Sequence, residues 1–167
     1  MDKIKYNKYF SIMLIFHLLV VIGGCGYTAK RVLPENIKTI SLILFSNKTL
    51  QYKIENIFSD KLIEEFIMDG RLKVSNKDSA DSILSGEISQ YLKQPAAVDK
   101  NKNILEYKLT LIISVSLKDN KDAILYEEKN IRASYNYYPE RQSEEEALDR
   151  LMKNMSRKLV KEIIERE

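Results

Sequence analysis

Residues 105–118, LEYKLTLIISVSLK, alternate between two kinds of side chain. Every odd position is apolar or aromatic, and six of the seven even positions are polar or small. Successive side chains of a β-strand point to opposite faces of a sheet. The pattern therefore predicts a long strand with one buried face and one face toward water. The predicted buried positions are Leu105, Tyr107, Leu109, Leu111, Ile113, Val115 and Leu117.

The sequence on either side of this stretch predicts the other strands of a sheet. We expect strands at 37–45, 72–74, 82–92 and 123–135, a polar loop at 93–103 and a turn at 119–122. The alternation slips at Glu127-Glu128, which predicts a bulge there. The apolar face of the first and third of these strands is expected to carry Ile40, Leu42, Leu44, Leu84, Gly86, Ile88 and Leu92.

Two amphipathic helices complete the predicted domain. The first covers 51–69, with Asn47 or Thr49 as its cap and Gly70 as its left-handed end. The second begins at Ser143, which forms a capping box with Glu146, and continues to about residue 165. Their predicted apolar stripes are Ile54, Ile57, Phe58, Leu62, Ile63, Phe66 and Ile67, and Leu148, Leu151, Met152, Met155, Leu159 and Ile163.

These elements predict an α+β fold. Two helices and a sheet with one polar face give a two-layer sandwich. Both helices should pack on one face of a mixed, mainly antiparallel sheet of four to five strands. The other face of the sheet is left for water or a partner.

The start of the chain has the pattern of an export signal. A basic head over 1–8 precedes an apolar run over 9–22 and then Gly23-Gly24-Cys25. This run is shorter than the roughly 17 to 25 residues of a membrane-spanning helix. Residues 22–25 resemble a bacterial lipobox, which implies cleavage before Cys25 and acylation of that residue. We therefore predict a signal peptide at 1–24, a lipidated tether at 25–36 and one domain at 37–167.

The composition excludes several kinds of function for the exported part. The only histidine, His17, lies in the leader, and Cys25 is the only cysteine. Catalytic triads and zinc sites that depend on these residues are therefore excluded, and we predict no catalytic residue, metal or cofactor. Three of the 27 basic residues and one of the 24 acidic residues lie in the leader, so the remaining net charge is about +1. Such a balance does not suggest nucleic-acid binding.

Several short motifs, in order, resemble the lipopolysaccharide-assembly lipoprotein family of the LptE type. The resemblance starts at Cys25-Gly26-Tyr27 and covers nearly all of the exported chain. It continues through Leu33-Pro34, Phe45, Asn47, Glu55, Ala80-Asp81, Leu84, Gly86, Ile88, the segment 106–109 and the segment 117–119.

The resemblance implies a role in the outer membrane. It implies a non-enzymatic lipoprotein held by its acyl chains on the periplasmic face of that membrane. It implies a β-barrel partner of the LptD type, whose lumen the domain plugs and whose folding it assists, and binding of lipopolysaccharide. An alternative is an outer-membrane lipoprotein that regulates a cell-wall synthase or another envelope complex. Such proteins usually need a long linker, whereas only about ten residues separate Cys25 from the first predicted strand.

Two groups of residues are candidates for contacts. Lys93, Lys100, Lys102 and Arg132 could meet lipopolysaccharide phosphates, since lysine acts there as a point charge. The alternative for the three lysines is a solvated hairpin tip. Tyr135, Tyr137 and Tyr138 could anchor a partner interface, because tyrosine combines rigid area with a hydroxyl. The alternative is packing over the sheet edge beside the last helix.

Overall fold

Residues 33–165 are described by the structure, a computed structural model. They form a mixed sheet with two helices, as the sequence predicts, and the sheet has six strands rather than the four to five expected. The strands and α-helices in chain order are β1 (Thr39–Leu42), β2 (Ser46–Asn47), α1 (Ile54–Asp69), β3 (Lys73–Val74), β4 (Ser82–Val98), β5 (Ile104–Asp119), β6 (Ile124–Tyr137) and α2 (Glu144–Glu165). The sheet order is β3-β1-β4-β5-β6, and β2 also pairs with β4.

The long central hairpins are antiparallel, and the short strands are parallel. β4 pairs antiparallel with β5, and β5 with β6. β1 pairs parallel with both β3 and β4. The predicted alternation of β5 is confirmed over most of its length, because its odd residues from Leu109 to Leu117 are buried in the core. Leu105 is exposed instead, at the start of the strand.

Both helices cover the same face of the sheet, which confirms the predicted layers. Their apolar side chains join those of β4 and β5 in one core. The helices run parallel. Lys61 in the middle of α1 pairs with Asp149 in the second turn of α2. Arg71, just after α1, pairs with Glu165 at the end of α2. The predicted capping box is present, with Glu146 N–H donating to Ser143 Oγ at 3.2 Å and Ser143 N–H donating to Glu146 Oε2 at 3.3 Å.

Gly86 lies where the core permits no side chain. A Cβ at this position would lie 2.3 Å from Cε1 of Phe45 and 2.5 Å from the carbonyl oxygen of Ser114. The Phe45 ring lies over the glycine and meets Phe58 of α1 edge to face, with ring centroids 5.0 Å apart. The glycine in the third predicted strand is therefore explained by the close approach of an aromatic ring.

The side chains at two positions predicted for the apolar face point away from the core, because the strands contain irregularities. β4 has a register shift between Ile88 and Gln90, so Tyr91 turns toward the helices and Leu92 turns away from them. Three residues lie between Leu42 and Ser46, whereas only two lie between their partners on β4. This extra residue shifts the alternation and leaves Leu44 exposed. A single extra residue reverses every following side chain of a strand.

Other boundaries also differ from the prediction. The polar loop predicted at 93–103 is mostly strand, because β4 continues to Val98 and only 99–103 forms the turn. Helix α1 begins at Ile54 after Lys53 in a left-handed conformation, and no side chain caps it, so the predicted caps are wrong. Ile67 is exposed on the outer side of α1. The bulge in β6 is present, close to its predicted place, between Glu128 and Ile131.

Asp81 joins β1 to the start of β4. Its Oδ2 accepts hydrogen bonds from the backbone N–H of Lys38 and of Thr39, at 3.0 and 2.9 Å, and from the Thr39 hydroxyl at 2.8 Å. These bonds, the Thr39 hydroxyl first, hold the pKa of Asp81 below its ordinary value of 3.8. The carboxylate thus stabilises the parallel pairing of the first strand.

We predict that Asp81→Asn lowers the stability of the domain at neutral pH. Because the pKa of Asp81 is depressed on folding, its contribution is complete above the unfolded pKa and is lost as the pH falls through the lower folded pKa. The deficit of the variant should therefore shrink below about pH 3.8. Urea denaturation at pH 7 and pH 3 measures it, with the exposed Asp78→Asn as control. A deficit that stays constant across this range would contradict the role of the charge.

Candidate functional site

Five polar and aromatic side chains converge where both helices begin, on the helix side of the sheet. The register places Tyr107 of β5 directly opposite Tyr137 of β6, and their rings stack with centroids 5.7 Å apart. The β4 bulge directs Tyr91 to the same side, and Lys93 follows it one pleat further along the strand. Glu144, in the first turn of α2, closes the cluster. We call these five residues the tyrosine–lysine cluster.

Lys93 is held in the cluster by two contacts. Its Nζ lies 2.5 Å from Oε2 of Glu144 and 4.5 Å from the centroid of the Tyr107 ring. The hydrogen bond to Glu144 is the main cause that raises the pKa of Lys93, with a smaller part from Tyr137. The charge of Lys93 is therefore already paired with a carboxylate of the protein. This pairing makes Lys93 a weaker candidate for contact with a lipopolysaccharide phosphate.

Tyr91 is the most strongly perturbed tyrosine of the cluster. Burial is the main cause that raises its pKa to about 12, and the nearby negative charge of Glu144 adds to the effect. Its hydroxyl lies 3.4 Å from Oε1 of Glu144. Tyr91 is therefore a neutral hydrogen-bond donor at any physiological pH, and it has no character of a catalytic base.

An open groove of about 1000 Å³ adjoins the cluster, between the end of β6 and the start of α2. Tyr138 lies at its mouth, with the guanidinium of Arg141 5.8 Å from its ring centroid. The Tyr135 hydroxyl lies 3.4 Å from Oε1 of Gln142. The lining mixes aromatic rings with charges of both signs, among them Arg141, Glu145, Glu146, Asp149 and Arg150. Such a lining suits contact with a partner surface, and it offers no nucleophile with an adjacent base.

The four cations predicted for lipopolysaccharide lie in three separate places. Lys93 belongs to the tyrosine–lysine cluster. Lys100 and Lys102 are exposed in the turn between β4 and β5, which Asp99 organises by accepting from the backbone N–H of Asn101 and Asn103.

Arg132 lies on the face of the sheet opposite the helices, in register with Ile112. The structure therefore does not bring the four predicted cations together.

The three predicted interface tyrosines differ in exposure. Tyr137 is only 3% exposed and packs in the core, Tyr135 is partly buried, and Tyr138 is 50% exposed. The prediction missed Tyr91, Tyr107 and Glu144 as members of the same cluster. Tyr107 carried a signal, since it occupies an odd position of the alternating strand, whereas the bulge that turns Tyr91 inward has no mark in the sequence.

Neither a metal site nor a membrane span is found in the described part of the chain. Among residues 33–165, no three acidic, histidine or cysteine side chains are grouped so as to hold a metal ion. No helix in the same range is long and apolar enough to cross a bilayer.

Comparison with protein families identifies the kind of protein. A family model described as "LptE: Lipopolysaccharide-assembly" matches residues 37–165, which is most of the chain. The chain belongs to the LptE family. Members of this family are non-catalytic assembly lipoproteins. No protein with a curated function matches the chain significantly.

Solved structures with the same fold have little sequence in common with the chain. Lipoprotein B from Nitrosomonas europaea is 17% identical with a TM-score of 0.54, covering 80% of this chain and 85% of that one. A minor lipoprotein from Acinetobacter baumannii is 15% identical with a TM-score of 0.51, covering 78% and 92%. A hypothetical protein from Chlamydia trachomatis is 10% identical with a TM-score of 0.55, covering 75% and 95%. At these identities the likeness establishes the fold alone.

We predict that the two neighbouring tyrosines respond very differently to truncation. Tyr137→Ala should lower the free energy of unfolding by about 3 kcal/mol, because it removes a buried ring that stacks on Tyr107. Tyr138→Ala should change it by less than about 0.5 kcal/mol, since half of that side chain is in water. Chemical denaturation of both variants measures the difference. Equal losses would contradict the placement of Tyr137 in the core.

Proposed function

We propose that this protein is an outer-membrane lipoprotein that plugs a β-barrel of the LptD type and helps it fold. Together the two would insert lipopolysaccharide into the outer leaflet. The observation that carries the proposal is the family match over 37–165. The anchor would be the acyl chains on Cys25, which lies outside the described residues and is proposed from its lipobox-like context. Two or three acyl chains at about 0.8 kcal/mol per buried CH₂ hold a small domain firmly.

We propose that the partner meets the face of the sheet that carries no helix, which we call the open face. The open face is built from the even residues of β5 and their neighbours on β4 and β6. Its exposed part is mixed, with Lys108, Arg132 and Ser134 in water beside Leu92 and Ile124. The interior of a large membrane barrel is polar and wet, so the polar side chains of this face could meet it.

The open face is stiffened by its own contacts. Thr110 and Ile112 are buried although no helix covers them, and their cross-strand neighbours include Leu92 and Arg132. The Ser89 hydroxyl donates to the carbonyl oxygen of Ile112 at 3.1 Å. A surface fixed in this way loses little conformational freedom on binding.

Lipopolysaccharide contact is proposed for the exposed cations rather than for Lys93. Lys100, Lys102 and Arg132 keep their side chains in water, whereas Lys93 is paired with Glu144. The protein would then offer separate positive points to a large anionic ligand. This arrangement fits a lipid that is being guided along a surface better than one held in a single pocket.

We predict that the acylated protein co-purifies with an outer-membrane barrel after gentle detergent extraction of the envelope. Cys25→Ala should abolish the acyl modification and lower the recovery of the complex, because the unanchored domain is no longer held at the membrane. Affinity purification with mass spectrometry of the partner and of the N-terminal peptide measures both effects. Recovery of free monomer only, or of a cell-wall synthase in place of a barrel, would contradict the proposal.

A further inference from the structure

A short loop between β2 and α1 holds apolar side chains in water. Residues 48–53, Lys-Thr-Leu-Gln-Tyr-Lys, form this loop, which we call the Leu50 loop. Leu50 is fully exposed, and Tyr52 is 78% exposed. Single exposed apolar residues are common on protein surfaces. Here a leucine and a tyrosine, two positions apart and bordered by two lysines, project from one loop.

The Leu50 loop is fixed from below by Asn47. Its Oδ1 accepts from both the backbone N–H and the hydroxyl of Thr49, each at 2.8 Å. Its Nδ2 donates to the carbonyl oxygen of Gln51 and to Oε2 of Glu55, each at 2.9 Å.

The Thr49 hydroxyl also accepts from Gln51 N–H at 3.1 Å. These bonds hold the backbone on both sides of Leu50. A loop so restrained cannot fold its apolar side chains back onto the core, so their exposure is a property of the fold.

The charges around the Leu50 loop complement an anionic surface. Lys48 and Lys53 border it, and Lys53 Nζ lies 5.1 Å from the centroid of the Tyr52 ring. The nearest acid in sequence, Glu55, is engaged by Asn47. A leucine and a tyrosine flanked by lysines suit the interface of a bilayer with anionic lipids. The apolar parts enter the headgroup boundary there, and the ammonium groups stay at the phosphates.

We propose that the Leu50 loop inserts into the headgroup region of the same bilayer that holds the acyl chains of this protein. This inference rests on the proposed acylation of Cys25. The loop would be a second attachment point, and it would fix which side of the domain faces the membrane. Because the acyl chains already hold the domain at the bilayer, the contribution of the loop would be orientation.

The distances within the chain allow both attachments to reach one bilayer. The Leu50 loop is held at the level of Ile88, because Lys48 N–H donates to the Ile88 carbonyl oxygen at 3.0 Å. Ile40 of β1 lies opposite Ser82. The six steps along β4 from Ser82 to Ile88 span about 20 Å. The sequence from Cys25 to Pro34 spans at most about 30 Å when fully extended. The anchor can therefore lie in the bilayer that the loop enters.

The chain contains no tryptophan, so one substitution makes a unique fluorescent probe of the loop. We would compare Tyr52→Trp with the matched control Tyr138→Trp. Tyr138 is also exposed, but it follows β6 at the opposite edge of the sheet. The acylated full chain, purified from membranes, is reconstituted into vesicles of phosphatidylethanolamine and phosphatidylglycerol with brominated acyl chains.

We expect the emission of Tyr52→Trp to shift to shorter wavelength and to lose most of its intensity to the brominated lipids. The emission of Tyr138→Trp should remain at the wavelength of exposed tryptophan with little quenching. Adding Leu50→Glu to Tyr52→Trp, or replacing Lys48 and Lys53 by glutamate in that variant, should restore much of the intensity.

The possible failures are distinguishable. The mass of the N-terminal peptide reports acylation independently of fluorescence. If the protein is acylated and floats with the vesicles, but Tyr52→Trp is no more quenched than the control, the loop faces water or a protein and this inference is overturned. If the peptide carries no acyl chain, the proposed anchor itself is overturned.

Discussion

The rest of this structure depends on one constraint: a continuous row of buried apolar side chains lies on only one face of the sheet. β5 places its odd side chains, from Leu109 to Leu117, against both helices, and its pairing with β4 and β6 fixes their direction. A shift of one residue in the strand register would expose these side chains to water. Because both helices must cover the same row, they lie side by side, and the opposite face of the sheet has no helix. A two-layer fold with one helix-free face follows from this single pattern.

Features that follow from local side-chain periodicity can be predicted from the sequence. Side-chain directions that depend on strand pairing cannot. The alternation of β5, the stripes of both helices and the capping box of Ser143 are local patterns, and the structure confirms them. Leu92 and Leu44 are wrong because a bulge in β4 and an extra residue before β2 reverse the alternation. The candidate site follows the same rule. The sequence shows three tyrosines in a row of four residues, but only the pairing of Tyr137 with Tyr107 separates the buried ring from the exposed one.

Several charged side chains of this domain form contacts within the fold. Lys93 is matched by Glu144, and the carboxylate of Asp81 is occupied by the start of β1. Asn47, whose place in the sequence suggested a helix cap, organises an exposed loop instead. The other three predicted lipopolysaccharide contacts, Lys100, Lys102 and Arg132, are dispersed over the turn at 99–103 and the open face. Lys93 and Asp81 are therefore engaged within the domain, which belongs to a family of non-catalytic assembly lipoproteins.

The central proposal is that the open face contacts the barrel. Site-specific photocrosslinking tests this contact most directly. A photoreactive amino acid would replace Ser134, exposed on the open face, or Asp60, exposed on the outer side of α1, in the acylated protein within intact envelopes. We expect a covalent adduct with the outer-membrane barrel from position 134 and none from position 60. An adduct from position 60 with none from position 134 would contradict the account, since the helices would then face the partner.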